Sequence, residues 1–467
     1  MRNLCKDFRC WILLFFVIRL FGITLPPIEA AQNWRQCNVA MVARNFYETD
    51  ANIFYPRIDN AGEKTGITGM EFPLLNYLIY LMSLLFGYDH WYGRLINLVV
   101  SSTGIWYFYL LVRKYFSRQI AFNAGIILLS SIWFAYSRKI MPDTFSVSFI
   151  LAGLYFGTNY LDRGASYRSL ILSYVLMLLG TLSKLPAAYL VSLFVPLLFF
   201  DTIAVKRRVI MTITLVMVVI PVVVWYFYWV PFLVNEYGFW YFFMGKDFLQ
   251  GAKEIAIYWN ESLKNYYENA MKFIGFGAFV AGLLLAIYLK KRNLLIVFIL
   301  TFVPFLFMMV KAGETFSFHS YYIIPFVPIM ALVAGYGLSL INKKQIVAVI
   351  LMAIVTEGIL NQQHDFRIKE KYLPILNLES VLDKYSKPTD LILINSGSLP
   401  TPLYFAHRKG WLSTNENIRK QSYRDELHTK GLKFIVILKR SFGTQVELPE
   451  HIVFDNENYT VYSLREN

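Results

Sequence analysis

A few ionisable residues stand apart in this sequence because apolar stretches surround them. Glu71 lies in Gly69-Met-Glu-Phe-Pro73, Lys184 lies in Leu182-Ser-Lys-Leu-Pro186, and His319 comes just before Tyr321-Tyr322. Ionisable groups near a bilayer cost free energy, so their positions carry information about function. A carboxylate can act as a general base, and a lysine can bind a phosphate as a point charge. Together they indicate chemistry on a phosphate-bearing substrate at a membrane.

Glu71 is the first candidate for acid–base chemistry. It lies where the chain enters an apolar segment, and desolvation there would raise the pKa of its carboxyl group unless a cation or a metal compensates. A general base needs such tuning. The structural alternative is a carboxylate that caps a helix starting at Pro73. We therefore predict Glu71 as a catalytic group, with an optional role as a ligand of Mg²⁺, Mn²⁺ or Zn²⁺.

Further charges flank other apolar stretches. Asp143 follows Arg138-Lys139-Ile-Met-Pro142 and begins a predicted span, so it is either a helix cap or a site residue. Lys184 either extends outward between two helices or binds a phosphate. Carboxylates with separated cations suit a lipid-phosphate donor, because the phosphate can leave against Lys or Arg.

The composition suits a membrane protein. Of 467 residues, 56% are hydrophobic, 17% are aromatic and only 16% are charged. A soluble domain carries about 25% charged residues, so an ordinary soluble enzyme, a disordered chain and a disulfide scaffold are disfavoured. The pattern is typical of a polytopic α-helical membrane protein. We predict eleven spans, at 10–25, 91–112, 119–137, 144–161, 168–183, 186–201, 209–230, 271–289, 293–310, 321–341 and 345–361.

The net charge of +14 comes largely from short basic loops. Such loops mark the cytoplasmic side of a membrane, so a nucleic-acid groove is not needed to explain the charge. They place the N-terminus inside and the C-terminal tail outside. The six clusters are Arg2/Lys6/Arg9, Arg113/Lys114/Arg118, Arg163/Arg168, Lys206/Arg207/Arg208, Lys290/Lys291/Arg292 and Lys343/Lys344.

The outer side has three long segments. The first loop, 26–90, holds two predicted interfacial helices, Asn33–Tyr47 and Phe72–Gly87. An aromatic-rich loop follows at 231–270. The tail, 362–467, contains strand-like runs at 391–395 and 434–438 with helix-like stretches between them, which predicts a small α/β domain. The chain thus divides into a transmembrane domain, 1–361, and an outer α/β domain, 362–467.

Several chemistries lack their motifs. Only Cys5, Cys10 and Cys37 occur, and they lie on opposite predicted sides of the membrane, so no internal disulfide is expected. No cluster of Cys and His has zinc spacing, and the sequence has neither a Walker loop nor a dinucleotide-binding glycine fingerprint. No internal repeat is found, which disfavours a transporter or flippase built from paired halves.

A set of motifs gives the chain a family resemblance. It resembles the bacterial polyprenyl-phosphate-sugar-dependent glycosyltransferases of the C fold class, relatives of the protein O-mannosyltransferases and of the lipid A aminoarabinose transferase. The resemblance covers about 35–360. It is carried by Asn33-Trp-Arg-Gln36, Ala43-Arg-Asn-Phe-Tyr47, Met70-Glu-Phe-Pro73, Tyr92-Gly-Arg-Leu95, Met141-Pro-Asp-Thr144, Leu182-Ser-Lys-Leu-Pro186 and His319-Ser-Tyr-Tyr-Ile-Ile-Pro325.

The resemblance implies roles for particular residues. It implies a metal or acceptor role for Glu71 and an acidic site position at Asp143. The predicted catalytic groups are Glu71, Glu29 and Asp143. The predicted ligands of the donor phosphate are Lys184, Arg94, Arg138, His319 and Tyr322, and the predicted groups that position the acceptor or a loop are Arg35, Asp50 and Asp59.

One departure from the family concerns the start of the first interfacial helix. Several relatives have a catalytic aspartate there, whereas Gln32, Asn33 and Asn38 occupy this neighbourhood here. Either Glu29 or Glu71 is then the base, or Asp50 or Asp59 moves in, or the mechanism is modified. An inactive relative is a further possibility.

The sequence thus predicts an integral-membrane glycosyltransferase. It would transfer a sugar from a polyprenyl-phosphate carrier to a hydroxyl of a lipid, glycan or protein at the outer face of a bacterial inner membrane. A single displacement by the acceptor implies inversion at the anomeric carbon. The alternatives are an oligosaccharide ligase with a lipid-diphosphate donor, disfavoured because 231–270 has no arginine, and a lipid or solute transporter.

Overall fold

Two units, each defined by its own internal contacts, make up the chain. The computed structural model describes residues 7–162, 166–199, 202–238, 245–439 and 446–464. The first unit, here called the helical unit, comprises Met1–Ile23, Gly93–Tyr228 and Phe243–Gln363. The second, here called the mixed unit, comprises Thr24–Tyr92, Trp229–Phe242 and His364–Asn467. Arg2, Lys6 and Arg163 of the predicted basic clusters, and 239–244 of the predicted aromatic loop, lie outside the described residues.

In this division, Thr24–Tyr92 is grouped with His364–Asn467. Long-range bonds explain the grouping, since Arg44 donates to the carbonyl of Tyr404 and Tyr88 bonds the Tyr404 hydroxyl.

The helical unit is built from apolar helices with few interruptions. Its α-helices, numbered in chain order together with those of the mixed unit, are α1 (Phe8–Leu20), α4 (Trp91–Tyr115), α5 (Arg118–Ser130), α6 (Trp133–Tyr136), α7 (Pro142–Leu161), α8 (Tyr167–Ser183), α9 (Val195–Leu198), α10 (Val205–Val223), α12 (Phe248–Ile257), α13 (Trp259–Lys264), α14 (Lys272–Tyr288), α15 (Arg292–Ala312), α16 (Glu314–Phe318), α17 (Val327–Ser339) and α18 (Lys344–Asn361). Short 3₁₀ segments at Leu185–Phe194 and Ser320–Phe326 precede α9 and α17.

Several of these helices could cross a membrane. By length and apolar character, five helical stretches of the described residues qualify: Trp91–Tyr115, Val205–Tyr237, Arg292–Ala312, Ser320–Ser339 and Lys344–Asn361. A sixth would be Trp259–Ala270 with Lys272–Tyr288, which are bent by 99°. The protein is therefore a polytopic helical membrane protein, and the count of eleven spans stays a prediction. Other predicted spans form shorter or interrupted helices, as at 186–201, where Pro186 and Pro196 accompany the 3₁₀ segment.

Close packing of α7 on α8 fixes the turn that follows α8. A Cβ atom at Gly180 would lie 2.7 Å from Ile150 and 2.9 Å from the carbonyl oxygen of Ser146, so only glycine allows this approach. The Ser146 hydroxyl donates to the carbonyls of Gly180 (2.7 Å) and Lys184 (3.3 Å). Small residues at helix contacts are common in membrane proteins. Lys184 is thereby held at a defined position beside α7.

The mixed unit combines five strands with short helices. Its helices are α2 (Asn33–Glu48), α3 (Leu74–Phe86), α11 (Val230–Tyr237), α19 (Leu378–Leu382), α20 (Thr401–Ala406), α21 (Asn415–Arg419) and α22 (Gln421–Thr429). Its strands are β1 (Leu391–Ile394), β2 (Gly410–Leu412), β3 (Leu432–Leu438), β4 (His451–Asp455) and β5 (Tyr459–Ser463). The sheet order is β2-β1-β3-β5-β4, in which β1 pairs in parallel with β2 and β3 and the other pairs are antiparallel.

Helix α2 differs from a one-sided surface helix. Ten consecutive residues, 35–44, are buried, including two arginines. The Arg44 guanidinium bonds Asp59 at 2.8 Å and lies 4.6 Å from the centre of the Tyr404 ring. Buried polar groups require such partners. The predicted interfacial helix Asn33–Tyr47 is therefore buried on more than one face.

A histidine joins α2 to the tail and makes the mixed unit sensitive to pH. His407 Nε2 lies 2.9 Å from Glu48 and its Nδ1 lies 2.5 Å from Glu379. The hydrogen bond to Glu48 raises the pKa of His407 above its ordinary 6.5, with a smaller contribution from Glu379 and with burial and Arg44 opposing.

A raised pKa means that the protonated histidine stabilises the fold. This contribution is complete below about pH 6.5 and is lost as the pH rises through the raised value. We expect the Tm of the wild-type protein to fall between pH 6 and pH 9 by about 1–3 °C more than that of His407→Gln. Thermal unfolding in detergent across this range tests it, and equal pH profiles for the two proteins would contradict it.

Candidate active site

Two buried carboxylates in the mixed unit are held by consecutive residues of α2. Glu71, 3% exposed, forms an ion pair with Arg35, 6% exposed. Glu29, 2% exposed, accepts a hydrogen bond of 3.0 Å from the Gln36 amide. Both carboxylates are thus bonded to the first turn of α2, where the helix dipole favours negative charge.

The backbone explains why Glu71 sits there. Helix α2 begins after Gln32, which has a left-handed φ of 61°. A Cβ atom at Gly69 would lie 2.8 Å from Val230 of α11, so glycine lets the chain before Glu71 approach that helix. Helix α3 is capped by Pro73, and Glu71 lies two residues earlier. The carboxylate is therefore not the cap of α3, and Arg35 is the compensating cation.

Where several relatives have an aspartate, the start of α2 carries the amide side chains of Gln32, Asn33 and Asn38. Asn33 accepts a hydrogen bond from the Thr401 hydroxyl at 3.2 Å. Asn38 is 4% exposed, and within the described residues its side-chain oxygen has no hydrogen-bond partner. Glu29 and Glu71 are consequently the carboxylates bonded to this first turn of α2.

Asp50 and Asp59 belong to a different part of the mixed unit. Asp59 is bonded to Arg44 and to the Asn45 amide at 2.7 Å. Asp50 pairs with Arg57 at 2.8 Å, and this hydrogen bond lowers the pKa of the Asp50 carboxyl. Arg44 follows Arg35 by nine residues, about 14 Å along the helix. The structure therefore separates Asp50 and Asp59 from the Arg35–Glu71 pair.

In the helical unit, Lys184 and Asp143 face each other. Their charged atoms are 3.8 Å apart, and both side chains are buried. Asp143 is the second residue of α7, whose cap is Met141. The ammonium of Lys184 also lies over two rings, 5.5 Å from the centre of Tyr321 and 5.9 Å from that of Tyr322. A cation beside aromatic faces is stabilised in a site that excludes water.

His319 adjoins this group. Its ring lies 5.4 Å from Tyr321, and its Nδ1 lies 3.1 Å from the carbonyl oxygen of Thr315. The structure thus brings together four of the residues predicted from the sequence, Asp143, Lys184, His319 and Tyr322.

Arg94 and Arg138 converge on the chain just after α1. Arg94 donates to the carbonyl of Ile23 at 3.2 Å, and Arg138 donates to that of Gly22 at 2.7 Å. Arg19, within α1, donates to the Phe15 carbonyl and to the Ser137 hydroxyl. All three arginines are almost fully buried. Three buried arginines therefore meet at this end of α1.

Sequence reasoning missed Asn97, which positions the segment carrying Arg138. Its amide donates to the carbonyls of Tyr136, Lys139 and Met141 at 3.0, 2.8 and 3.2 Å. Asn97 lies one turn after Arg94 on α4, so one helix face holds both groups. The presence of an asparagine within a predicted apolar span could have indicated this role, since buried amides are costly unless they are hydrogen-bonded.

The described side chains around Glu71 do not form a metal centre. Within the described ranges, no group of three or more His, Cys, Asp or Glu side chains could hold a metal ion. Arg35 already neutralises the Glu71 carboxylate. The donor set therefore does not fit a divalent ion there.

Comparisons with known proteins agree with this architecture. Residues 71–226 match the family model described as dolichyl-phosphate-mannose-protein mannosyltransferase. ArnT from Cupriavidus metallidurans, solved bound to undecaprenyl phosphate, is 12% identical and superposes with a TM-score of 0.55 over 97% of this chain and 98% of its own. No curated protein sequence matches significantly.

A second kind of enzyme shares the fold. The oligosaccharyltransferase AglB from Archaeoglobus fulgidus, solved with an inhibitory peptide and a dolichol-phosphate, is 12% identical and superposes with a TM-score of 0.58 over 92% of this chain and 69% of its own. Its complex with Zn and sulfate superposes at 0.56, with 12% identity over 91% of this chain and 67% of that one. The predicted resemblance is confirmed: this membrane protein has the fold of the C-class glycosyltransferases.

Proposed function

We propose that the protein is an integral-membrane glycosyltransferase that takes a sugar from a polyprenyl-phosphate carrier. The acceptor is a hydroxyl of a lipid, glycan or protein. The reaction takes place at the outer face of a bacterial inner membrane, with the N-terminus in the cytoplasm and the tail outside.

The observation that carries the proposal is the pair of buried carboxylates at the start of α2. Burial of Glu29 and Glu71 is costly, and the fold provides Gln36 and Arg35 to hold them in place. The fold shared with ArnT and AglB, both solved with polyprenyl or dolichyl phosphates, supports the donor class.

The reaction needs one base and one stabilised leaving group. The acceptor oxygen attacks the anomeric carbon, its proton passes to a carboxylate, and the bond from the anomeric carbon to the phosphate oxygen breaks. The configuration inverts, and polyprenyl phosphate leaves with the negative charge. In this proposal, either Glu71 or Glu29 accepts the proton.

Lys184 is the first candidate to stabilise the leaving phosphate. Its buried ammonium is held by Asp143 and by the rings of Tyr321 and Tyr322. Preorganised cations aimed at developing charge contribute a large part of catalysis. Arg94, Arg138, His319 and Tyr322 are further candidate ligands of the phosphate.

Lys184→Ala should therefore lower kcat/KM for the donor by about 100-fold. The physical reason is the loss of the positive charge that meets the leaving phosphate. Initial rates over a range of donor concentrations measure the effect. Lys253→Ala, an exposed lysine of α12, is the matched control and should change kcat/KM less than twofold. Equal losses for both variants would refute a specific role of Lys184.

The proposed function is tested by finding which class of sugar donor the protein uses. Purified protein in lipid vesicles is supplied with radiolabelled sugars on polyprenyl phosphate and, separately, with oligosaccharides on polyprenyl diphosphate. We expect release of polyprenyl phosphate with at least one monophosphate donor. Turnover only with a diphosphate donor would identify an oligosaccharide ligase, and movement of intact carrier without bond cleavage would identify a transporter.

A further inference from the structure

An apolar cavity lies inside the helical unit. Its volume is about 260 Å³, and α4, α7, α15, α17 and the segment from the 3₁₀ stretch to α9 line it. Most of the wall is aliphatic, with Leu111, Leu154, Leu193 and Val297 as examples. A cavity of about 150 Å³ with such a lining stays dry and binds benzene. This larger cavity suits a segment of hydrocarbon chain.

One end of the cavity is polar. Tyr115, Thr158 and Asn293 line it there. Thr158 follows Asp143 by fifteen residues on α7, about 22 Å along the helix. The polar end is thus far from the Lys184–Asp143 pair, so a ligand phosphate here would not be the one that meets Lys184.

Three basic clusters border that polar end. Lys114 bonds Asn159 at 2.9 Å and Thr158 at 3.3 Å and pairs with Asp162 at 2.5 Å. Arg207 donates to the carbonyl of Leu161, at the end of α7. Lys290, Lys291 and Arg292 immediately precede the lining residue Asn293, and they are exposed.

Positive charge exceeds negative charge strongly in these segments. The segments 113–118, 158–162, 205–208 and 290–293 contain nine Lys or Arg and a single acidic residue, Asp162. Asp162 is already paired with Lys114. Basic sites between membrane helices bind the head groups of anionic lipids.

We infer that this cavity is a binding site for an anionic phospholipid, distinct from the donor site. One acyl chain fills the cavity, and the phosphate lies near Lys291 and Arg292 at its polar end. The hydrophobic effect supplies the affinity of the chain, and the basic clusters select the charged head group. The inference does not depend on the proposed glycosyl transfer, because its readout is lipid binding.

Native mass spectrometry of the full-length protein tests the site. The protein is placed in nanodiscs with equal amounts of phosphatidylglycerol and phosphatidylcholine, then released into detergent, and the retained lipids are counted. We expect one phosphatidylglycerol retained with about tenfold preference over phosphatidylcholine. Val297→Phe, which fills the cavity, should abolish retention, and Lys291→Gln with Arg292→Gln should abolish the preference.

Two controls match these variants. Lys343→Gln with Lys344→Gln removes the same charge from a basic cluster that does not border the cavity, and Leu285→Phe adds bulk to an exposed position of α14. Both should retain phosphatidylglycerol as the wild type does. Equal retention of the two phospholipids, or retention unchanged by Val297→Phe, would overturn the inference in favour of a lipid that merely surrounds the helices. Displacement by undecaprenyl phosphate at equal concentration would overturn it in favour of the donor tail.

Discussion

Glu71→Gln should lower kcat for sugar transfer by about 100-fold or more, with little change in KM for the donor. The amide keeps the size of the side chain and can still meet Arg35 through its oxygen, but it cannot accept the proton of the acceptor hydroxyl. Steady-state rates with the donor found for the wild type, at saturating acceptor, measure the effect.

Two further variants, Glu29→Gln and Asp50→Asn, test whether the loss of kcat is specific to Glu71. Glu29 is the second carboxylate bonded to the first turn of α2, whereas Asp50 is paired with Arg57 near the surface. If Glu71 is the base, Asp50→Asn should lose less than threefold and Glu29→Gln should lose less than Glu71→Gln. A full rate in Glu71→Gln with a large loss in Glu29→Gln would transfer the role of base to Glu29.

Arg35→Ala should destabilise the mixed unit by about 3–5 kcal/mol, because it leaves the Glu71 carboxylate buried without its cation. Both partners are less than 10% exposed. The Tm of the purified protein and its resistance to proteolysis after heating measure the loss.

The Arg57–Asp50 pair is the matched comparison. Its side chains are 18% and 41% exposed, and surface ion pairs contribute at most about 1 kcal/mol. Arg57→Ala should therefore lower the Tm much less than Arg35→Ala. The double variant Arg35→Met with Glu71→Gln should recover most of the lost stability while remaining inactive, since no buried charge is left alone. Equal effects of Arg35→Ala and Arg57→Ala would refute this account of the buried pair.

Local patterns in the sequence predicted many of the elements. The first predicted outer helix, Asn33–Tyr47, is found at Asn33–Glu48, and the second, Phe72–Gly87, is found at Leu74–Phe86. The strand-like runs at 391–395 and 434–438 correspond to β1 and β3. Apolar length, turn residues and β-branched runs act within a few residues, so they can be read directly from the chain.

Partnerships between distant residues could not be predicted in this way. Arg35 and Glu71 are 36 positions apart, and Arg44 and Tyr404 are 360 apart. No local pattern distinguishes an arginine that will pair inside a unit from one in a solvated loop. Sequence reasoning therefore assigned Arg35 and Asp59 a shared role, whereas the structure places them in different ion pairs.

Some polar residues within apolar helices also act through partners that are distant in the sequence. Asn97 holds the segment that carries Arg138, and Arg19 is fully buried in α1. Their cost in an apolar environment was a readable signal. Their bonding partners lie on other helices, so their function was visible only in the folded chain.

The most direct measurement is the release of polyprenyl phosphate by reconstituted wild-type protein, compared with Glu71→Gln, Lys184→Ala and the two combined. We predict turnover by the wild type, a loss of about 100-fold or more in each single variant, and no measurable transfer in the double variant. Lack of turnover by folded wild-type protein with every donor, or rates within threefold of wild type in both single variants, would contradict it.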